Sequence, residues 1–243
     1  MKYSILIFLI HFSLNAQENK NYSSTNLKND TINIAVLLYN NVVLQDFSGP
    51  IEVFSKAKNL THGKYNIYTI GFDSKNISTE NGLIKVTTDY TLNNFPPADY
   101  LIIPGANMKV IEELKNNHSL IDFIKKENNN PYSKIVSICT ASYLLAYSNI
   151  LNNKMATTHY FVAHDFSEKF PEVKLIRDVR FVDEGKIITS SGITSGIDVA
   201  LYIVGIHSGK RIQEMINNAL QYNYGHNQKW PTPKKGMKYK SKS

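Results

Sequence analysis

Cys139 is the sole cysteine of the chain and its strongest candidate for covalent chemistry. It lies in Val136-Ser137-Ile138-Cys139-Thr140-Ala141-Ser142. A short apolar strand runs into it, small Ser137 and Ala141 flank it, and a helical pattern follows. This is the strand–turn–helix setting of a nucleophile elbow, where small neighbours relieve crowding around a strained residue. A helix N-terminus would also favour the thiolate, which is the nucleophilic form. The plain alternative is a small buried hydrophobe. Asp46 follows the first apolar run and precedes Ser48-Gly49-Pro50. Beside a thiol its carboxylate would orient or protonate a reactant. Otherwise it caps a helix or fills a turn. Gly105 and Ala106 come directly after a buried strand and Pro104. Their amides, with that of Thr140, would form an anion-stabilising pocket; the alternative is an ordinary strand-to-helix turn. His159, in Ala156-Thr157-Thr158-His159-Tyr160, is a candidate base for Cys139 or a partly exposed polar residue near a helix start.

Other chemistries are excluded by spacing. A single cysteine allows no disulfide within the chain, no cysteine-rich zinc site and no CxxC redox pair. His164 lies five residues after His159, not the three or four that put two ligands on one helix face. No metal site and no cofactor are expected. The turn Ser190-Ser191-Gly192-Ile193-Thr194-Ser195-Gly196-Ile197-Asp198 lacks the P-loop lysine and the dinucleotide glycine pattern. It reads as a tight strand-to-helix connection.

The elements that must position these residues are legible as hydrophobic runs. Ile32 to Tyr39, Tyr65 to Phe72, Tyr100 to Pro104, Lys134 to Ser137 and Ile187 to Ser190 read as strands, several of them buried on both faces. Ile84 to Thr87 suggests a short hairpin strand. Ser48-Gly49-Pro50 looks like a helix start. Helical spacing runs from Val110 to Glu127, then Ala141 to Tyr147, Ile197 to Gly205 and Ile212 to Tyr222. Strands alternating with helices predict an α/β fold with a mostly parallel central sheet covered on both faces. Sites in such sheets lie beyond the C-terminal strand ends, where Asp46, Gly105-Ala106 and Cys139-Thr140 all fall.

Composition fits one such domain. The chain has 243 residues, 42% hydrophobic and 19% charged, a globular balance. Its net charge of +7 invites a nucleic-acid partner. Lys2 and the tail lysines 234, 235, 238, 240 and 242 supply nearly all of that excess. The near-neutral body argues against nucleic acid. Residues 1–16 read as a signal peptide, with Lys2 before an apolar run too short to span a bilayer and cleavage expected after Ala16. This predicts a periplasmic or secreted protein without stable membrane insertion once cleaved. Residues 17–31 read as a linker, 32–226 as the domain and 227–243 as a basic flexible tail.

As a set, the motifs resemble the ThiJ/PfpI family, in the branch holding isocyanide hydratases and the sensor domains of AraC-type regulators. The resemblance runs from Val36-Leu37-Leu38-Tyr39 and Asp46-Phe47-Ser48-Gly49-Pro50 through Ile103-Pro104-Gly105, Ser137-Ile138-Cys139-Thr140 and Ala156-Thr157-Thr158-His159-Tyr160 to Gly192-Ile193-Thr194-Ser195-Gly196-Ile197-Asp198. It implies a glutamine amidotransferase-like, flavodoxin-like three-layer sandwich and a homodimer. It implies Cys139 as elbow nucleophile, Asp46 as the acidic partner, and Thr140 as the residue after the nucleophile in isocyanide hydratases. Gly105 and Thr140 match oxyanion-hole positions; Ala106 and His159 fall in the pocket lining. The activity implied is addition of water to a small isocyanide, giving an N-formamide. The alternative is a ligand-sensing or stress-protective protein with an oxidisable cysteine. The stretch after the last helix is too short for a helix-turn-helix domain, which weighs against transcription.

Overall fold

The computed structural model describes residues 31–222 and Trp230. Residues 1–16 and most of the expected linker and tail lie outside the described residues. Trp230 does not float: its backbone N–H donates to Asp178 and its indole N–H to the Val179 carbonyl.

The chain opens with β1 (Ile32–Leu38), α1 (Leu44–Leu60) and β2 (Tyr65–Gly71). A small antiparallel hairpin follows, β3 (Asn76–Ser78) with β4 (Lys85–Thr87), then β5 (Tyr90–Thr91) and β6 (Tyr100–Ile103). Next come α2 (Met108–Leu114), α3 (His118–Asn129), β7 (Lys134–Ser137) and α4 (Ser142–Tyr147). The last third holds β8 (Met155–Ala156), α5 (Ala163–Lys169), β9 (Lys174–Leu175), β10 (Phe181–Asp183), β11 (Ile187–Ser190) and α6 (Ser195–Ala219).

Seven strands form the central sheet in the order β10-β11-β7-β6-β1-β2-β5. All neighbours pair in parallel except β10 with β11. The chain crosses from β1 to β2 in one direction and from β6 to β7 in the other. Right-handed crossovers therefore put α1 and α2–α3 on opposite faces. The result is the expected α/β, flavodoxin-like three-layer sandwich. Its inner strands carry apolar side chains to both faces: Ile34 to Leu38, Leu101 to Ile103, Ile135 and Val136 are all buried.

Order reverses between β1 and β6, so the crevice at their C-terminal ends is the topological switch point. Asp46 and Gly105 emerge there, and Cys139 follows β7 next door.

On one face, α1 and α6 meet through two glycines. A Cβ on Gly49 would come within 3.0 Å of Ile197, and one on Gly196 within 3.0 Å of Ile138 and 3.1 Å of Pro50. This approach draws α6 onto the elbow strand.

Two expectations change. The helix expected from Ser48 begins at Leu44, so Asp46 sits in its first turn and Pro50 lies inside. Pro50 has no N–H to give the Asp46 carbonyl, an interior defect that imitates a helix start in sequence. The helix expected from Val110 to Glu127 is two helices, because Asn117 leaves the spiral and its side chain caps Leu120 at the start of α3. The two helices expected from Ile197 to Gly205 and from Ile212 to Tyr222 are both present, as the parts of α6 on either side of Gly209, whose φ of 80° and ψ of 164° lie outside the helix. Past the break the chain doubles back, with Gln213 donating to the Leu201 carbonyl.

Candidate functional site

Cys139 stands on an elbow. Its φ is +60°, a left-handed conformation rarely adopted outside glycine and asparagine. The strand before it is fixed by the Ile138 amide donating to the Ile103 carbonyl. The turn after it is fixed by the Ala141 amide donating to the Ile138 carbonyl. Ser142 Oγ donates to Thr158 Oγ1 at 2.7 Å, and Thr158 Oγ1 donates to the Cys139 carbonyl at 3.4 Å. The strained backbone is thus over-determined from three sides. The cysteine is buried, with 4% of its surface exposed.

Asp46 reaches the thiol from the first turn of α1. It is fully buried; Oδ2 accepts the Gly105 N–H at 2.8 Å, and Oδ1 has no hydrogen-bond partner within the protein. Burial pushes the Asp46 carboxyl up to about 7, while the Gly105 amide and the Cys139 thiol pull it down and the Glu80 charge pushes it further up. Burial and then the Asp46 charge push the Cys139 thiol well up, and the Thr140 backbone amide opposes them. Two buried acids facing each other do not both ionise near neutral pH. They titrate as a pair that shares a proton.

The Gly105–Ala106 strip closes the site. Ala106 N–H donates to Thr140 Oγ1 at 3.0 Å, and that hydroxyl donates back to the Ala106 carbonyl at 2.6 Å. The Thr140 hydroxyl hydrogen is therefore spent, which leaves the Thr140 N–H as the donor for the sulfur. On the other side, the Val43 amide donates to the Gly105 carbonyl at 2.9 Å. No side chain fits at position 105: a Cβ would lie 2.6 Å from Thr140 Oγ1 and 2.9 Å from Asp46 Oδ2.

These contacts correct one expectation. The Gly105 and Ala106 amides do not point as free donors into an anion pocket. One is given to Asp46 and the other to Thr140, because an unpaired N–H in so buried a place would be costly. His159 makes its hydrogen bond within its own turn rather than to Cys139. Its Nδ1 accepts the Phe161 amide at 3.3 Å, its ring lies 4.7 Å from that of Tyr160, and burial pushes its pKa down. After burial, Asp46 and Thr140 are the groups that act on the thiol. His159 lies beside the Gly192 turn, where a Cβ would approach it to 3.8 Å.

That turn is no phosphate cradle. Asp198, buried, pairs with Arg180 at 2.7 Å, and Tyr222 donates to it at 2.8 Å. Among the described residues no cluster of His, Cys, Asp or Glu is placed to hold a metal ion.

Two residues escaped the sequence reading. Tyr39, at the end of β1, donates its hydroxyl to the Pro104 carbonyl. A phenol closing an apolar run at the C-terminal end of a parallel strand was the available signal. Glu80 is brought to Asp46 by the β3–β4 hairpin, whose Glu80 amide donates to the Val42 carbonyl at 3.0 Å; a local pattern does not reveal such a tertiary approach.

A family model described as the DJ-1/PfpI family matches residues 33–205. The chain belongs to the DJ-1/PfpI family. Among its DJ-1/PfpI-type relatives is an isonitrile hydratase from Pseudomonas putida, 27% identical over 192 residues, covering 79% of this chain and 78% of the relative. An HTH-type transcriptional regulator, GbdR, from Pseudomonas aeruginosa is 24% identical, covering 78% of this chain but 50% of the regulator. A solved ThiJ/PfpI family protein from Pseudomonas syringae superposes with a TM-score of 0.69 at 19% identity, covering 92% of this chain and 87% of that one. The sequence relatives thus include both an enzyme and a regulator.

Proposed function

We propose that the protein is a cysteine-dependent enzyme acting on a small electrophile, most concretely an isocyanide that it hydrates to an N-formamide. One observation carries the reading: a buried carboxyl, its pKa pushed up by burial, faces the thiol of a strained elbow. A terminal isocyanide carbon must receive both a nucleophile and a proton, and this pair supplies both. The Asp46 carboxylate takes the Cys139 thiol proton as the sulfur attacks that carbon, and delivers the same proton to the carbon, giving a thioimidate, R–N=CH–S–Cys139. The Asp46 carboxylate then takes a proton from water as its oxygen adds to the same carbon, and passes that proton to nitrogen. Collapse of the adduct breaks the C–S bond, returns the hydroxyl proton to the pair and releases R–NH–CHO. The Thr140 N–H steadies the sulfur as charge develops on it. The likeness to an isonitrile hydratase supports this substrate class.

A second reading, ligand sensing without turnover, is favoured by the likeness to GbdR. The two separate in one assay. Aryl and alkyl isocyanides are incubated with the purified domain and with Cys139→Ala, and formamide is followed by NMR. Turnover lost in Cys139→Ala supports the enzyme. Saturable binding without formamide supports the sensor.

A further inference from the structure

The Pro104–Gly105 peptide is held at both ends. Its carbonyl accepts the Tyr39 hydroxyl, and its N–H donates to Asp46 Oδ2 at 2.8 Å. The peptide is trans, as are all peptides among the described residues. In a planar trans peptide the C=O and N–H point in opposite directions, so fixing the oxygen fixes the hydrogen's aim. Tyr39 is 1% exposed, so water does not compete for its hydroxyl. We propose that Tyr39 is a positioning residue of this site, which acts through the Pro104–Gly105 peptide to hold and strengthen the N–H bond to Asp46 and thereby tunes the Asp46–Cys139 pair. This deepens the proposed site and rests on that pair.

The physics has two parts. Donation to a carbonyl polarises the peptide and makes its N–H a better donor, the cooperative strengthening seen along hydrogen-bond chains. A stronger N–H bond favours the ionised carboxyl, opposing the burial that keeps it protonated. Tyr39 itself stays protonated, because burial first, and then the Asp46 and Cys139 charges, push its pKa well up. The groups facing Asp46 are accounted for: Tyr39 from the end of β1, Cys139 from the elbow, Glu80 from the hairpin and the Gly105 amide from the end of β6.

Because Cys139 is the only cysteine, its alkylation by iodoacetamide reads the pair directly. The rate is measured against pH for the wild type, for Tyr39→Phe, and for a variant with 3-fluorotyrosine at position 39 alone, beside each melting temperature. Losing the hydroxyl is expected to move the lower inflection up by about half a unit, slowing alkylation about 3-fold below it. Fluorotyrosine, a stronger donor, is expected to move the inflection down. A merely structural role changes melting temperature and leaves the inflection in place in both variants, which would overturn the proposal. If Tyr39→Phe fails to fold, the sign of the fluorotyrosine shift decides alone. The readout is thiol reactivity, so a protein that turns over no isocyanide would sink the substrate assignment and leave this test standing.

Discussion

The backbone N–H of Gly105 donates to Oδ2 of Asp46 at 2.8 Å, so the carboxyl facing Cys139 is held by the turn that follows the neighbouring strand. This bond joins the first turn of α1 to the turn after β6 across the switch point of the sheet. It also leaves the other Asp46 oxygen without a protein partner, on the carboxyl whose proton the chemistry requires.

Gly105→Ala is expected to destroy the site. The added carbon would lie 2.6 Å from Thr140 Oγ1 and 2.9 Å from Asp46 Oδ2, so the turn must move. Overpacking of this kind costs about 1–3 kcal/mol. Calorimetry should show that loss, and iodoacetamide should modify Cys139 with an altered pH profile.

Asp46→Asn is expected to separate stability from reactivity. The folded carboxyl titrates near 7, above its ordinary value of 3.8, so the folded state holds that proton more tightly than the unfolded state. The stability this contributes is full below about 4 and is lost as pH rises through about 7. An amide does not titrate, so Asp46→Asn should gain on the wild type as pH rises from 4 to 8, by up to about 4 kcal/mol. Turnover should fall by about 100-fold or more, because the proton donor is gone. Denaturant melts at pH 4 and pH 8 check the sign; a variant that loses ground on raising the pH contradicts the burial argument.

Thr140→Val should strand the buried Ala106 N–H and carbonyl, both of which use the threonine hydroxyl. Each unpaired group costs about 1–3 kcal/mol. Thr140→Ser keeps the hydroxyl and should recover most of the loss in a thermal melt.

The sheet was legible because buried parallel strands announce themselves as apolar runs: Lys134–Ser137 and Ile187–Ser190 fall where the hydrophobicity places them. Helix ends were less so. Leu44 starts α1 with no side-chain cap, while Ser48-Gly49-Pro50 four residues on carries the signature of a start. Of the candidate site, Cys139, Asp46, Gly105 and Thr140 were visible as strand-end residues, and the structure brings them together. What an amide is bonded to depends on residues far away in sequence. That is why the Gly105 and Ala106 donors looked free, and why Tyr39, 65 positions from Pro104, was missed.

The amino-terminal reading has its own test. Mass spectrometry of the exported protein is expected to find Gln17 at the N-terminus. An intact Met1 in a cytoplasmic fraction overturns both cleavage and export.

The proposed chemistry requires that Cys139 bond to the substrate. Quenched-flow samples of the wild type turning over an aryl isocyanide are analysed by intact-protein and peptide mass spectrometry. A transient gain of one isocyanide mass on the Cys139 peptide, decaying as formamide accumulates and absent in Cys139→Ala, is the predicted result. Formamide produced undiminished by Cys139→Ala would contradict it.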